Sequence, residues 1–185
     1  MKIHCNCCGI TYPNDDELAF HFWCVEAKNA GHIRDWRYQS PTFPLSEKRT
    51  RTVEKRLKTK TKTVERVVLR KHSYTPDFMI IGPRGNICTL PEFAEINHSP
   101  YPDHYIDVKP KFEPHHARTE VFRINQKWVA SQHNVLVHSV VPSEFFSRTW
   151  VPEKIAFKKN GGRRKPYAGC RLVNEMGWER KKQNG

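Results

Sequence analysis

The chain has no apolar run approaching the about 20 residues that a bilayer-spanning helix needs. Its first twelve residues carry one lysine and no apolar stretch of the kind a secretion signal requires. These absences predict a soluble protein of the cytoplasm, or of a host's cytoplasm if phage-encoded, with no membrane partner. Acidic residues are scarce, 19 Asp and Glu against 32 Lys and Arg, for a net charge of +13. Cysteines number six, and without a secretion signal metal ligation is a better use for them than disulfides. No internal repeat is visible, and 185 residues fit one domain rather than two catalytic ones. A 37% hydrophobic fraction, with Trp, Phe and Val spread through the middle, predicts a folded body rather than a disordered chain.

The charge is concentrated. Residues 46 to 71 hold eleven Lys and Arg against three Glu, and residues 154 to 185 hold ten against two, leaving the rest slightly acidic. A basic arm and a basic tail flanking an acidic body suit a protein that grips a phosphate backbone and keeps its carboxylates for another task. Lys55, Arg56, Lys58, Lys60, Lys62, Arg163, Arg164 and Lys165 are the candidate contacts to DNA. The plainer alternative is that both runs are solvated surface.

Asn14 is a plausible cap for a helix with Leu18, Phe22 and Val25 as its apolar stripe and Gly31 as its stop. A strand is expected from Ile33 to Gln39, with Pro41 and Pro44 breaking regular structure after it. Residues 46 to 62 are compatible with a helix, a hairpin or a mobile arm. Strands follow at 63 to 69 and 78 to 81, with a turn at Gly82-Pro83-Arg84-Gly85 and an irregular segment from 86 to 103. His104 to Lys109 reads as a strand that Pro110 ends, and Arg118 to Gln132 as a helix with Val121, Phe122, Ile124, Trp128 and Val129 on its apolar side. A strand over 134 to 141 and a helix near 143 to 148 precede a tail whose Gly161-Gly162 and basic content suggest flexibility.

In Asp107-Val108-Lys109, strand alternation puts the carboxylate and the ammonium on one face and Val108 in the opposite layer. Asp77, at the end of the preceding strand pair, can bring a second carboxylate to the same point, and oxygens clustered in this way suit Mg²⁺ or Mn²⁺. Lys109 would orient a water or stabilise charge in the transition state. Each piece alone has an ordinary explanation, Pro-Asp as a turn and Asp-x-Lys as a surface ion pair.

Together, Tyr74-Thr75-Pro76-Asp77-Phe78 and Tyr105-Ile106-Asp107-Val108-Lys109 resemble the PD-(D/E)XK nuclease superfamily, especially small phage-encoded and TnsA-like endonucleases. Upstream, Glu17 precedes Ala30-Gly31-His32-Ile33 and Tyr38-Gln39-Ser40-Pro41 as that family's first-helix acid does, although Asn14-x-x-Glu17 also matches a capping box. The resemblance implies an α/β, restriction-endonuclease-like core with a mixed central sheet flanked by helices. It implies Glu17, Asp77, Asp107 and Lys109 as catalytic residues, and Asp77, Asp107 and the Val108 carbonyl as Mg²⁺ ligands. Thr119 to Lys127 resembles the helix after the metal strand, with Gln126 or Lys127 facing the substrate. The basic insertion at 46 to 62, the loop from 82 to 103 and Pro110 depart from the pattern.

Cys5-x2-Cys8-x12-His21-x2-Cys24 resembles a zinc finger, with Gly9, Tyr12 and Leu18 at that motif's turn, aromatic and leucine positions. The last spacing is short, and His4, Cys7 or His32 can replace a ligand; small buried free cysteines are the bland alternative. The expected layout is a zinc-binding element over 1–32 merging into the first helix, a nuclease core over 14–150 and a basic tail over 151–185. The expected activity is metal-dependent DNA endonuclease, in phage-type DNA processing, recombination or junction cleavage. A TnsA-like transposition subunit is one alternative, and an inactive nuclease-fold protein that binds nucleic acid or a host factor is the other. A second copy of the chain or a phage or transposition protein would be further partners.

Overall fold

The computed structural model describes residues 2–82, 103–110 and 117–175. The expected turn at 82–85 beyond Gly82, nearly all of the irregular segment after it, and the end of the basic tail from 176 lie outside these residues. The fold is mixed α/β. Two short strands, β1 (Ile3–His4) and β2 (Thr11–Tyr12), lead into helix α1 (Asp15–Asn29). Asn14 caps α1, accepting the Glu17 N–H on its side chain at 2.8 Å. At the other end Gly31 has φ +75°, and Gly31 and His32 donate their N–H groups to Lys28 and Ala27, the left-handed stop a glycine accommodates without strain.

The central sheet runs β10 (Val137–Val140), β9 (Asp103–Val108), β8 (Phe78–Ile81), β3 (Asp35–Tyr38). Its β3/β8 and β8/β9 pairs are antiparallel, whereas β9 and β10 are parallel and joined through helix α2 (Ala117–His133). Alternation along β9 feeds two cores. Ile106 and Val108 join Phe78, Ile80 and the α1 residues Phe20, Trp23 and Ala27, while Tyr105 packs on the second cluster with Phe122 and Val129 of α2.

Two expected apolar faces are corrected. On α1 the buried residues are Glu17, Phe20, His21, Trp23, Cys24 and Ala27, and Leu18, Phe22 and Val25 are only partly covered. Phe20, Trp23, Cys24 and Ala27 pack in one core with Phe78, Ile80 and Ile106 of the sheet and with Phe145, Val151, Ala156 and Val173, while the Lys154 ammonium stands 4.7 Å above the Phe22 ring. On α2, Phe122 and Val129 are buried but Val121 and Ile124 are 58% and 61% exposed, because Asn125 and Gln126 turn inward to bond His72 and the Val137 carbonyl.

Residues 43–74 form one long antiparallel excursion. Its base pairs β4 (Phe43–Ser46) with β7 (His72–Tyr74) against α2, and its outer part is the hairpin β5 (Arg49–Arg56) and β6 (Thr61–Leu69). Pro44, expected as a breaker, lies within β4 at a register irregularity, where its missing N–H disturbs the ladder least. From 47 to 71 every residue except Val53 and Val64 is exposed, so the hairpin stands away from the body.

The segment expected as a flexible tail is folded over 150–175. After helix α3 (Pro142–Arg148), β11 (Trp150–Val151) pairs in parallel with β12 (Arg171–Leu172), and a short helix α4 (Glu153–Ala156) lies between. Val151, Ala156 and Val173 enter the main core, and burial of such widely spaced small apolar residues offsets the glycines and charges around them. No helix among the described residues is long and apolar enough to cross a membrane.

Candidate functional site

The register of β8 and β9 assembles the acid centre. Phe78 faces Ile106, and carrying that antiparallel register one residue outward sets Asp77 across from Asp107. Asp77 Oδ2 accepts the Val108 N–H at 2.7 Å, which fixes it at the strand end. Asp107 Oδ2 lies 2.7 Å from Lys109 Nζ and accepts the Tyr74 hydroxyl at 2.6 Å. Lys109 also stands 5.1 Å above the Phe122 ring, so α2 holds its ammonium over the carboxylates. Its side chain is 26% exposed and that of Asp107 8%, leaving the lysine as the wet edge of a mostly buried cluster.

Glu17 closes the group from α1. Tyr38 donates its hydroxyl to Oε2 at 2.8 Å and the Asn14 side-chain amide donates to Oε1 at 2.9 Å. The capping role and the approach to the acid centre therefore coexist, since one helix turn serves both. Burial raises the Glu17 carboxyl, the Tyr38 and Asn14 hydrogen bonds lower it, and the charges of Asp107 and Lys109 act on it in opposite senses. Asp77 is pushed up to about 9, first by burial, then by its hydrogen bond with Asp107 and the negative charges of Asp107 and Glu17, against the Val108 N–H. Acids that act on one another in a largely buried site disfavour full ionisation.

All four residues singled out in the sequence thus meet in one place. Tyr74 and Tyr38, which lock Asp107 and Glu17, were not assigned roles. Each tyrosine bonds an acid far from it in sequence, 33 residues for Tyr74 and Asp107 and 21 for Tyr38 and Glu17, and no spacing pattern signals such a pair. Gln126 is bonded to the Val137 carbonyl, whereas Lys127 is exposed on α2.

A second cluster lies at the N-terminus. Gly9, at φ +71°, donates its N–H to the Cys5 carbonyl and turns the chain so that Cys5, Cys7 and Cys8 converge on His21 from α1. The four ligand atoms lie within 4.8 Å of one another and can hold a metal ion such as zinc. Cys5 Sγ and Cys7 Sγ are 3.8 and 3.7 Å from His21 Nε2, close to the ~3.6 Å edge expected from Zn–S and Zn–N bond lengths. The two sulfurs are 2.7 Å apart, tighter than the ~3.8 Å edge between zinc-bound thiolates, so ligation would spread that pair. Burial, and then Lys154, push His21 down to about 4, which keeps the imidazole in its neutral, ligating form. The group contains Cys7 in place of Cys24, which was the expected fourth ligand. The Cys24 thiol is fully buried among core residues and pushed well up by burial.

The basic candidates divide. Lys55, Arg56, Lys58, Lys60 and Lys62 are exposed on the hairpin. Arg163 and Arg164 are exposed but bond backbone carbonyls, Arg163 those of Tyr167 and Cys170 and Arg164 that of Phe157, so they brace the C-terminal loops; Lys165 opens a short 3-10 turn. In comparisons with protein-family models, curated proteins and solved structures, nothing matches this chain.

Proposed function

We propose that the protein is a metal-dependent DNA endonuclease of the PD-(D/E)XK type, with a restriction-endonuclease-like core. The observation that carries this reading is the convergence of Asp77, Asp107 and Lys109 at the open ends of two paired strands, with Glu17 brought in by α1. A mixed sheet flanked by α1 and α2 is the architecture the resemblance implies.

In this reading Asp77, Asp107 and the Val108 carbonyl hold Mg²⁺ or Mn²⁺, with Glu17 completing the acidic wall. When bound, that ion polarises the scissile phosphate and lowers the pKa of a water. Tyr74 and Lys109 both hold the Oδ2 oxygen of Asp107 and so fix the orientation of its carboxylate. Lys109, held between Asp107 and Phe122, orients the attacking water or meets the charge that develops on the phosphate. The Cys5, Cys7, Cys8 and His21 group, as a zinc site, pins the helix that carries Glu17.

Purified protein incubated with linear, nicked and four-way DNA, with Mg²⁺ or with EDTA, tests the reading. Cleavage in Mg²⁺ that EDTA abolishes is the expected result. A protein that cuts none of these, nor RNA, in Mg²⁺ or Mn²⁺ is not a nuclease.

A further inference from the structure

The exposed hairpin sorts its charges by face. In the β5/β6 register Arg51 faces Arg66, Val53 faces Val64 and Lys55 faces Lys62, so these six side chains share one face of the ribbon. The opposite face carries Thr50 against Val67, Thr52 against Glu65, Glu54 against Thr63 and Arg56 against Thr61. Both acids of the hairpin are therefore on the second face, and Glu65 accepts there from the Thr50 hydroxyl. Among the described residues none of the four cations on the first face enters an ion pair.

Like charges directly opposite one another across a ladder destabilise it. Two such rungs on a ribbon that no core covers are explained by a polyanion laid along that face. We propose that the face of Arg51, Val53, Lys55, Lys62, Val64 and Arg66 is a docking surface for the major groove of duplex DNA. This rests on the reading of the chain as a DNA-acting protein and adds where and how it grips.

Shape selects the duplex. A B-form major groove, about 12 Å wide, admits a two-stranded ribbon, whereas the A-form major groove of RNA is too deep and narrow for one. The rungs Arg51/Arg66 and Lys55/Lys62 are four residues apart, about 13 Å along the strand, so each pair can meet phosphates while the apolar Val53/Val64 rung between them faces base edges. The hairpin is rooted next to the acid centre, because β6 continues into β7, whose Tyr74 bonds Asp107. An arm in the groove and a phosphodiester at Asp107 would then belong to one bound duplex.

The full-length Lys55→Gln/Lys62→Gln variant tests this against an equal charge loss on the body, Arg34→Gln/Arg37→Gln, where both side chains are exposed. Affinity for a short duplex is measured across a salt series in EDTA, together with protection of guanine N7 from methylation, which reads the major groove. Circular dichroism checks that both variants fold. The hairpin pair is expected to lose tenfold or more in affinity, to flatten the log–log salt slope by about 2, and to lose N7 protection. The body pair is expected to keep the protection and most of the affinity. Equal losses from the two variants, absence of N7 protection in the parent, equal affinity of the parent for duplex RNA, or no binding by the parent overturns the proposal. Cleavage in Mg²⁺ is scored separately: a parent that shows the arm footprint but never cuts removes the nuclease reading and leaves the arm standing.

Discussion

Glu17 and His21 stand four residues apart on α1, one helical turn, both buried, with Glu17 at the acid centre and His21 in the thiol cluster. The two sites are also joined through rings. Tyr12 lies 5.2 Å from His21 and 4.9 Å from Tyr38, and Tyr38 bonds Glu17. Whatever fixes His21 therefore fixes the turn of helix that presents Glu17.

The ligand set is open to direct test. Freshly purified, reduced protein should carry about one zinc per chain, and Cys7→Ser or His21→Ala should remove it. Cys24→Ser should retain the metal and lose stability instead, because it places a hydroxyl in a fully buried apolar site. Metal analysis and thermal melting of the three variants separate these outcomes. Zinc lost from Cys24→Ser but kept in Cys7→Ser would restore the sequence-derived set and refute the structural one.

Asp77 sets a pH dependence for the metal-free protein. Its folded carboxyl is held at about 9, against ~3.9 in an unfolded chain, so the folded state keeps a proton that the unfolded state releases. The stabilisation this gives is complete below the unfolded value and is lost as pH rises through about 9. In Asp77→Asn the amide can still accept the Val108 N–H, and this contribution disappears. Between pH 5 and 9, in EDTA, the melting temperature of the parent should fall more steeply than that of the variant, each 1 kcal/mol appearing as about 2–4 °C. Parallel curves would mean that Asp77 is ionised in the folded state.

Some of this was legible in the sequence for identifiable reasons. The start and stop of α1 were readable because Asn14 and Gly31 act locally, and Asp107 and Lys109 could be paired because alternation alone puts them on one face. The form of residues 46 to 62 was not readable, since a Lys/Thr run without a buried face offers no periodicity to choose a hairpin over a helix. Cys24 fits a spacing template because such a template counts residues, whereas the turn at Gly9 brings Cys7 to Cys5, Cys8 and His21. Val121 and Ile124 were misassigned for a related reason: the polar Asn125 and Gln126 found partners inside, and the helix rotated to serve them.

Tyr74 should act by positioning. Its hydroxyl holds Asp107 Oδ2, and burial with the adjacent Asp107 charge pushes its own ionisation far up, so it remains a donor at any working pH. Tyr74→Phe keeps the ring in its cluster and removes only that bond. Turnover should fall about tenfold, with the Mg²⁺ concentration for half-maximal rate rising, as expected when a metal ligand loses its outer partner. A Tyr74→Phe enzyme with unchanged metal dependence would make the bond purely structural.

The most demanding test separates chemistry from binding at β9. Asp107→Asn keeps the size of the side chain and can still accept from Tyr74, but loses the charge proposed to attract the divalent ion and the ion pair with Lys109. Lys109→Ala leaves the carboxylates and removes the ammonium proposed to act on water or on the developing charge. Both should reduce cleavage by roughly a hundredfold or more, the scale of losing one electrostatic stabiliser from an active site. Neither residue is proposed as a phosphate anchor, so duplex binding measured in EDTA should survive, and it should tighten in Asp107→Asn because a negative charge has left the site. Single-turnover cleavage and metal-free binding, run on the same preparations, give the two readouts independently. Two variants that cut like the parent would dismiss the acid centre as catalytic, whereas variants that lose binding and cleavage together would make Asp107 and Lys109 part of the grip.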